Sequence, residues 1–288
     1  MERVWKNLLA TLTKELGTEV ARTFVKSLYE KADGSINQAS IFFYELGKVW
    51  APLMHMWAKW IEEKAESKSI ALILRDAKPL EHIERTKSWK RLYLNRRICG
   101  IPDEIYGDKN PEIDPLLISY LYQNECHEYF TFVDSGCYGS IVRELHIKLK
   151  MNFQPLFFFS KNPHIPGFLN DIGVNEIEGT ILNDSLECAF PNLFRRPEEI
   201  VNTRKDGVQP FLMPSDELSL IFGEAVLRGV RDFQFKNHTT PQSAMKNILE
   251  LSEKAQDGIF TGVLAESSPE WTGKKAFLES WPSELKWK

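Results

Sequence analysis

Residues 129–145 read YFTFVDSGCYGSIVREL, and this stretch decides the fold. Tyr129-Phe130-Thr131-Phe132-Val133 is aromatic or β-branched at every position, the composition of a strand buried on both faces. Asp134-Ser135-Gly136-Cys137-Tyr138-Gly139-Ser140 interrupts the apolar run with small and polar residues. Ile141, Val142 and Leu145 then resume it at helical spacing, to about Lys150. A strand, a glycine-bearing loop and a helix in that order form the opening half of a parallel crossover unit.

The same rhythm extends outward in both directions. Downstream, Pro155–Ser160 (PLFFFS) is a further strand; upstream, Ile70–Leu74 (IALIL) and Arg91–Leu94 (RLYL) are two more. Helical patterns follow Arg75-Asp76 through about Lys87 and cover 112–125. Strands alternating with helices predict an α/β fold with a mostly parallel, Rossmann-like sheet. Apolar positions three and four apart predict one or two helices over 2–31 and a long helix over 36–67, kinked or broken at Pro52. The Trp and Met stripe of that long helix, which includes Trp50, Met54 and Trp57, would either line a ligand pocket or, the reading preferred, pack as core. Residues 161–215, rich in Asn, Pro and Gly, read as irregular structure over the sheet edge or the site. Helices are expected again over 215–234 and 240–256, the latter capped and started by Thr240-Pro241. The regions are an N-terminal helical part (1–68), an α/β core (69–160) and an irregular cover with C-terminal helices (161–288), together one compact domain.

Composition narrows the partners. Of 288 residues, 43% are hydrophobic and 26% charged, near the globular averages of about 45–50% and about 25%. The net charge of −4 supplies no basic field for nucleic acid or anionic lipid, so neither is the expected partner. Cys99, Cys126, Cys137 and Cys188 form no CxxC pair, which points to a reducing compartment and away from structural zinc. The opening MERVWKNLLATLTKELGTEV carries charges throughout and lacks a signal-peptide core. No apolar run approaches the ~20 residues of a membrane span. The expected location is the cytoplasm.

Ligands of open parallel sheets bind beyond the carboxyl ends of the strands, and three polar clusters occur there: Arg75-Asp76, Asn95-Arg96-Arg97 and Asp134–Ser140. A loop entering a helix leaves backbone N–H groups pointing one way, with the helix dipole favouring negative charge. Gly136, Cys137, Tyr138, Gly139 and Ser140 would cradle a phosphate there, and Asp134 would hold a sugar hydroxyl or Mg. The plain alternative is a tight strand-to-helix turn. Arg75 would contact a phosphate or carboxylate with two hydrogen bonds and Asp76 would act as base or metal ligand, or the two would pair to fix the turn. Arg97 would add positive charge to the same crevice. Cys137 and Arg143 also have the spacing of a cysteine-phosphatase loop, although Glu144 follows where such loops carry Ser or Thr. Asp184 and Glu187 would either cover the site from above or cap a turn. His82 and His146 stand alone, without metal-ligand spacing.

Taken in order, Ala51-Pro52-Leu53, Leu74-Arg75-Asp76-Ala77, Tyr93-Leu94-Asn95-Arg96-Arg97, Val133–Ser140, Glu187-Cys188-Ala189-Phe190-Pro191 and Asp206-Gly207 carry a resemblance. Over roughly 40–210 the chain resembles the module that follows the hydrolase domain in haloacid-dehalogenase-like bacterial proteins. The chain has no Asp-x-Asp-x-Thr nucleophile, so the resemblance implies the accompanying module rather than the hydrolase. A looser similarity is to phosphoribosyltransferases, with Leu74–Pro79 and Val133–Ser140 as the pyrophosphate and ribose-phosphate loops. It implies a phosphoribosyltransferase-like core that binds a phosphorylated sugar or nucleotide with Mg, and either transfers, hydrolyses or only senses it. In the last case the chain is a module with a protein partner.

Overall fold

The computed structural model describes residues 36–74, 77–101, 112–189, 197–203, 206–212, 217–234, 240–254 and 278–282. The helix expected over 2–31 lies outside them. Four parallel strands, β1 (Ile70–Ile73), β2 (Lys90–Leu92), β3 (Phe130–Cys137) and β4 (Phe153–Ser160), form one sheet in the order β2-β1-β3-β4. The pairing aligns Leu72 with Arg91 and Val133, and Val133 with Leu156. β1 and β4 are buried along their whole length, which is why both read as unbroken apolar runs. Pro155 within β4 agrees with that strand's place at the sheet edge.

Side chains alternate between two cores. Ile70, Leu72, Val133, Leu156 and Phe158 face a layer built from α1 (Ile36–Lys64), α5 (Glu176–Ala189), α6 (Glu217–Arg231) and α7 (Pro241–Lys254). Ala71, Ile73, Phe130, Phe132 and Phe153 face α2 (Leu117–Gln123) and α3 (Ser140–Leu149). The result is helix, sheet, helix: an α/β fold with a Rossmann-like core. On α1, Trp50, Met54, Trp57 and Ile61 are buried, each contributing roughly 1.5–3 kcal/mol or more of apolar burial. Trp57 packs edge-on against Phe158 at 5.1 Å, so the aromatic stripe is core. α1 runs through Pro52 as one helix of 29 residues, so of the kink or break expected there the break does not occur. Buried Gln154 ties the sheet to the end of α1: its Oε1 accepts from Glu66 N (2.9 Å) and Thr131 Oγ1 (3.1 Å), and its Nε2 donates to Lys64 O (3.0 Å).

α1 and α6 cross at backbone contact. A Cβ added to Gly47 would lie 2.0 Å from Val226 O, and one on Gly229 would lie 2.0 Å from Tyr44 O. α7 begins as expected, with Thr240 Oγ1 accepting from Ser243 N at 3.1 Å and Pro241 in the first turn.

Three stretches differ from expectation. The helix expected between Asp76 and Lys87 is instead two short 3-10 turns, Lys78–His82 and Glu84–Thr86. Thr86 Oγ1 donates to Ile83 O at 2.9 Å there and competes with a continuing helix. The described residues of 161–215 are far from irregular: they hold a short helix α4 (Phe168–Asp171), α5, and an antiparallel hairpin of β5 (Pro197–Thr203) and β6 (Gly207–Leu212). α5 is capped by Asn175, whose Oδ1 accepts from Glu178 N at 2.9 Å, and is anchored by buried Leu182 and Leu186. β3 also runs four residues past Val133, to Cys137. No helix among the described residues is long and apolar enough to cross a membrane.

Candidate functional site

The chain leaves β1 toward β2 on one side and returns with β3 on the other, so the sheet's direction of build reverses between β1 and β3. A crevice opens beyond the strand ends at such a reversal. Pairing of β3 with β1 ends at Leu72 and Val133, whereas pairing with β4 continues through Asp134–Phe157, Gly136–Phe159 and Cys137–Ser160. The loop expected over 134–140 is therefore only Tyr138-Gly139; the four residues before it are strand, and Ser140 opens α3.

Each residue of this segment has a defined environment. Asp134 is partly exposed, with Oδ1 accepting from Ser135 N at 2.9 Å. Ser135 is fully buried, and its hydroxyl has no hydrogen-bond partner among the described residues. Gly136 (φ +117°) could not carry a Cβ, which would fall 2.1 Å from Phe159 O. Cys137, at φ +67°, is a non-glycine residue in the left-handed region. Its carbonyl accepts from Lys161 N at 2.9 Å, and its Sγ accepts from Asn183 Nδ2 at 3.4 Å. Tyr138 O accepts from Asn162 Nδ2 at 3.0 Å. Gly139 (φ +80°) is the N-cap of α3 and has no side chain with which to cap the first-turn amides. A Cβ there would meet Ile165 Cδ1 at 2.5 Å and Trp281 at 3.1 Å. Both glycines thus owe their identity to backbone conformation and close packing.

The predicted residues fall into groups. Asp134, Gly136, Cys137, Tyr138, Gly139 and Ser140 gather at the carboxyl end of β3. Arg97 is exposed in the turn after β2. That turn is fixed by Asn95, whose Oδ1 accepts from Ile98 N (2.9 Å) while its Nδ2 donates to Pro197 O (2.6 Å). Arg75 and Asp76 lie outside the described residues. Asp184 and Glu187 are on helix α5 rather than on a loop; their side chains are likewise outside the description. The neighbour that reaches the site from α5 is Asn183, which sequence reasoning passed over within the polar run Asn183-Asp184-Ser185.

No known protein family, curated protein or solved structure matches this chain. Function is therefore read from the site's own chemistry. Burial pushes the Cys99 thiol well above its usual range, with Asp134 and Glu144 adding to the effect and Lys148 opposing it. Cys126 is pushed up to about 12, again chiefly by burial. Both are inert thiols, whereas Cys137 is partly exposed. On α3, Arg143 donates from Nη1 to Glu144 Oε1 (2.8 Å) and from Nη2 to Ser280 Oγ (3.1 Å), so its guanidinium is engaged by protein groups. Tyr93 N donates to Tyr120 Oη at 3.0 Å, which locks the end of β2 to α2.

Proposed function

We propose that this chain binds a phosphorylated sugar or nucleotide in the crevice beyond β1 and β3. The observation that supports the reading most strongly is the reversal of strand order between β1 and β3, with α3 opening on its near side at an N-cap that has no side chain. Amides of the first turn of α3 and the dipole behind them would hold the phosphate. Packing of Gly136 and Gly139 against protein atoms means that the anion approaches along the solvent side of Tyr138–Ile141, not over the glycine α-carbons. Arg97, with Arg75 as read from the sequence, would offset the charge, and Asp134 would accept from ribose hydroxyls.

Mg would bind at the same place in its usual manner, through one or two carboxylates with phosphate oxygens and water. Asp134 would be its protein ligand. Among the described residues no three His, Cys, Asp or Glu side chains gather into a metal cluster, so the ligand's phosphate would supply the remaining affinity.

A second reading, binding without turnover in a sensing or partner-binding module, is favoured by Ser135: it is buried and supplies no second acid beside Asp134. The cysteine-phosphatase reading has less support, because Glu144 and Ser280 already hold Arg143.

Isothermal titration with ribose 5-phosphate, phosphoribosyl pyrophosphate and nucleoside phosphates, with and without Mg, tests the proposal. One of them binds, and Ser140→Glu weakens it by at least about tenfold, ~1.4 kcal/mol, while leaving thermal stability unchanged or higher, because an acid in the first helical turn suits the dipole. Binding of none of these ligands overturns the proposal. Product analysis of the bound ligand separates enzyme from sensor; loss of aryl-phosphate hydrolysis on Cys137→Ser alone would revive the thiolate.

A further inference from the structure

Ser135 is fully buried, and its hydroxyl has no hydrogen-bond partner among the described residues. A buried hydroxyl is costly to leave unpaired, so such a group marks a place where a further polar atom belongs.

The direction of its side chain follows from the strand. Val133 faces the layer of α1 and α5, whereas Asp134 lies toward the opposite core, close enough to Cys99 to influence that thiol. Alternation along β3 returns Ser135 to the α5 side. Cys137 is on that side too, because its Sγ accepts from Asn183 Nδ2 of α5 at 3.4 Å. Positions two apart on a strand are separated by roughly 7 Å, and Ser135 and Cys137 do not bond directly. An oxygen carried on Sγ would stand between them.

The described cysteines differ in their chemistry. Cys99 and Cys126 are buried, and burial raises both thiols. Cys137 is partly exposed. It receives the Asn183 N–H at its sulfur and stands two residues before the N-cap of α3, on the side where the helix dipole favours negative charge. Both features favour the thiolate, which is the reactive form.

We propose that Cys137 is a redox-active thiol that takes an oxygen atom from a hydroperoxide, and that the Ser135 hydroxyl holds the sulfenic acid so formed. The thiolate sulfur attacks one peroxide oxygen, and the S–O bond forms as the O–O bond breaks. Sulfur is oxidised by two electrons and the peroxide is reduced; the departing hydroxide or alkoxide takes up the thiol proton and leaves as water or alcohol. Ser135 Oγ then donates to the oxygen on Sγ, and the buried hydroxyl gains the partner it lacks. Cys99 and Cys126 belong to the opposite core, so neither is placed to condense with the sulfenic acid. The site shares Cys137 with the proposed phosphate turn, but the inference does not rest on phosphate binding there.

Treatment of the reduced full chain with hydrogen peroxide, followed by dimedone capture and peptide mass spectrometry, tests it. Cys137 carries the adduct, and Cys99 and Cys126 do not. Ser135→Ala removes the orphaned hydroxyl, so the reduced variant melts at or above the parent's temperature. Its sulfenic acid, followed by delaying the dimedone, decays about fivefold faster, the worth of one hydrogen bond. Preferential labelling of any other cysteine, no adduct at all, or an equal lifetime in Ser135→Ala overturns the inference; the last result would mean that an internal water already serves the hydroxyl. A reduced Ser135→Ala protein that melts well below the parent, or does not fold, overturns it as well, since the hydroxyl would then already have a partner. No phosphate ligand enters the assay, so failure here and failure of phosphate binding are distinguishable.

Discussion

Two pairs of glycines do opposite work in this molecule. Gly47 and Gly229 sit in regular helices and are glycine only because the crossing of α1 and α6 leaves no room: each missing Cβ would land on a backbone carbonyl 2.0 Å away. Gly136 and Gly139, at the end of β3, are constrained twice, by positive φ and by close neighbours. The first pair lets two helices approach; the second bends the chain from strand to helix at the carboxyl end of β3. Glycine in a βα loop is therefore weak evidence of phosphate by itself, since conformation and packing require it here whatever binds.

Substitution separates the two requirements. Gly136→Ala is expected to cost most, about 4 kcal/mol, from backbone strain of roughly 1–3 kcal/mol plus a similar overpacking penalty against Phe159 O. Gly173 shares the positive φ (+83°) but has nothing within 4 Å of its missing Cβ, so Gly173→Ala should show strain alone, about 1–2 kcal/mol. Urea denaturation of both variants checks the difference; equal losses would mean that Phe159 yields and that packing is not a constraint at the turn.

Gly47→Ala comes next. The carbonyl it meets belongs to a helix and cannot swing aside, so α1 and α6 must separate at an overpacking cost of up to about 3 kcal/mol, offset by about 1 kcal/mol of helix propensity. A net loss near 2 kcal/mol by chemical denaturation is expected. A variant more stable than the parent would show that propensity alone governs the position and that the crossing is loose.

The strands were legible because burial on both faces leaves continuous apolar runs such as Ile70–Leu74 and Pro155–Ser160. The last four residues of β3 were not, since Asp134-Ser135-Gly136-Cys137 carries no strand signal and is a strand only through its pairing with β4, a tertiary partner. α5 was hidden by its Gly, Asn, Asp and Ser content. Gly179 within it is required by the Phe159 ring, which would lie 2.3 Å from an added Cβ, a tertiary fact with no local trace. The candidate site was legible as a position, the carboxyl end of β3, but not as a set of neighbours. Asn183 reaches Cys137 from a helix, a contact with no local trace in the sequence.

The smallest effect concerns the other end of the α1–α6 contact and asks whether that crossing is as tight near its carboxyl end as at the glycines. His55 on α1 packs at α6, with Nε2 3.1 Å from Val230 O and its ring 6.0 Å from that of Phe233. Burial pushes its pKa below the ordinary value near 6.5; the Val230 carbonyl opposes this, and Arg85 reinforces it. A base with a lowered folded pKa binds more protons when unfolded, so stability rises with pH across the interval between the two values and is lost as pH falls from about 6.5 toward the folded pKa. His82 shifts the same way, also through burial. Thermal melts at pH 7 and pH 5.5 should therefore show a loss on acidification that is smaller in His55→Gln, while Gly173→Ala, remote from the crossing, keeps the parent's full pH response. An identical response in His55→Gln would mean that the ring protonates without opposition and that water reaches the crossing beside Val230, leaving close approach confined to Gly47 and Gly229.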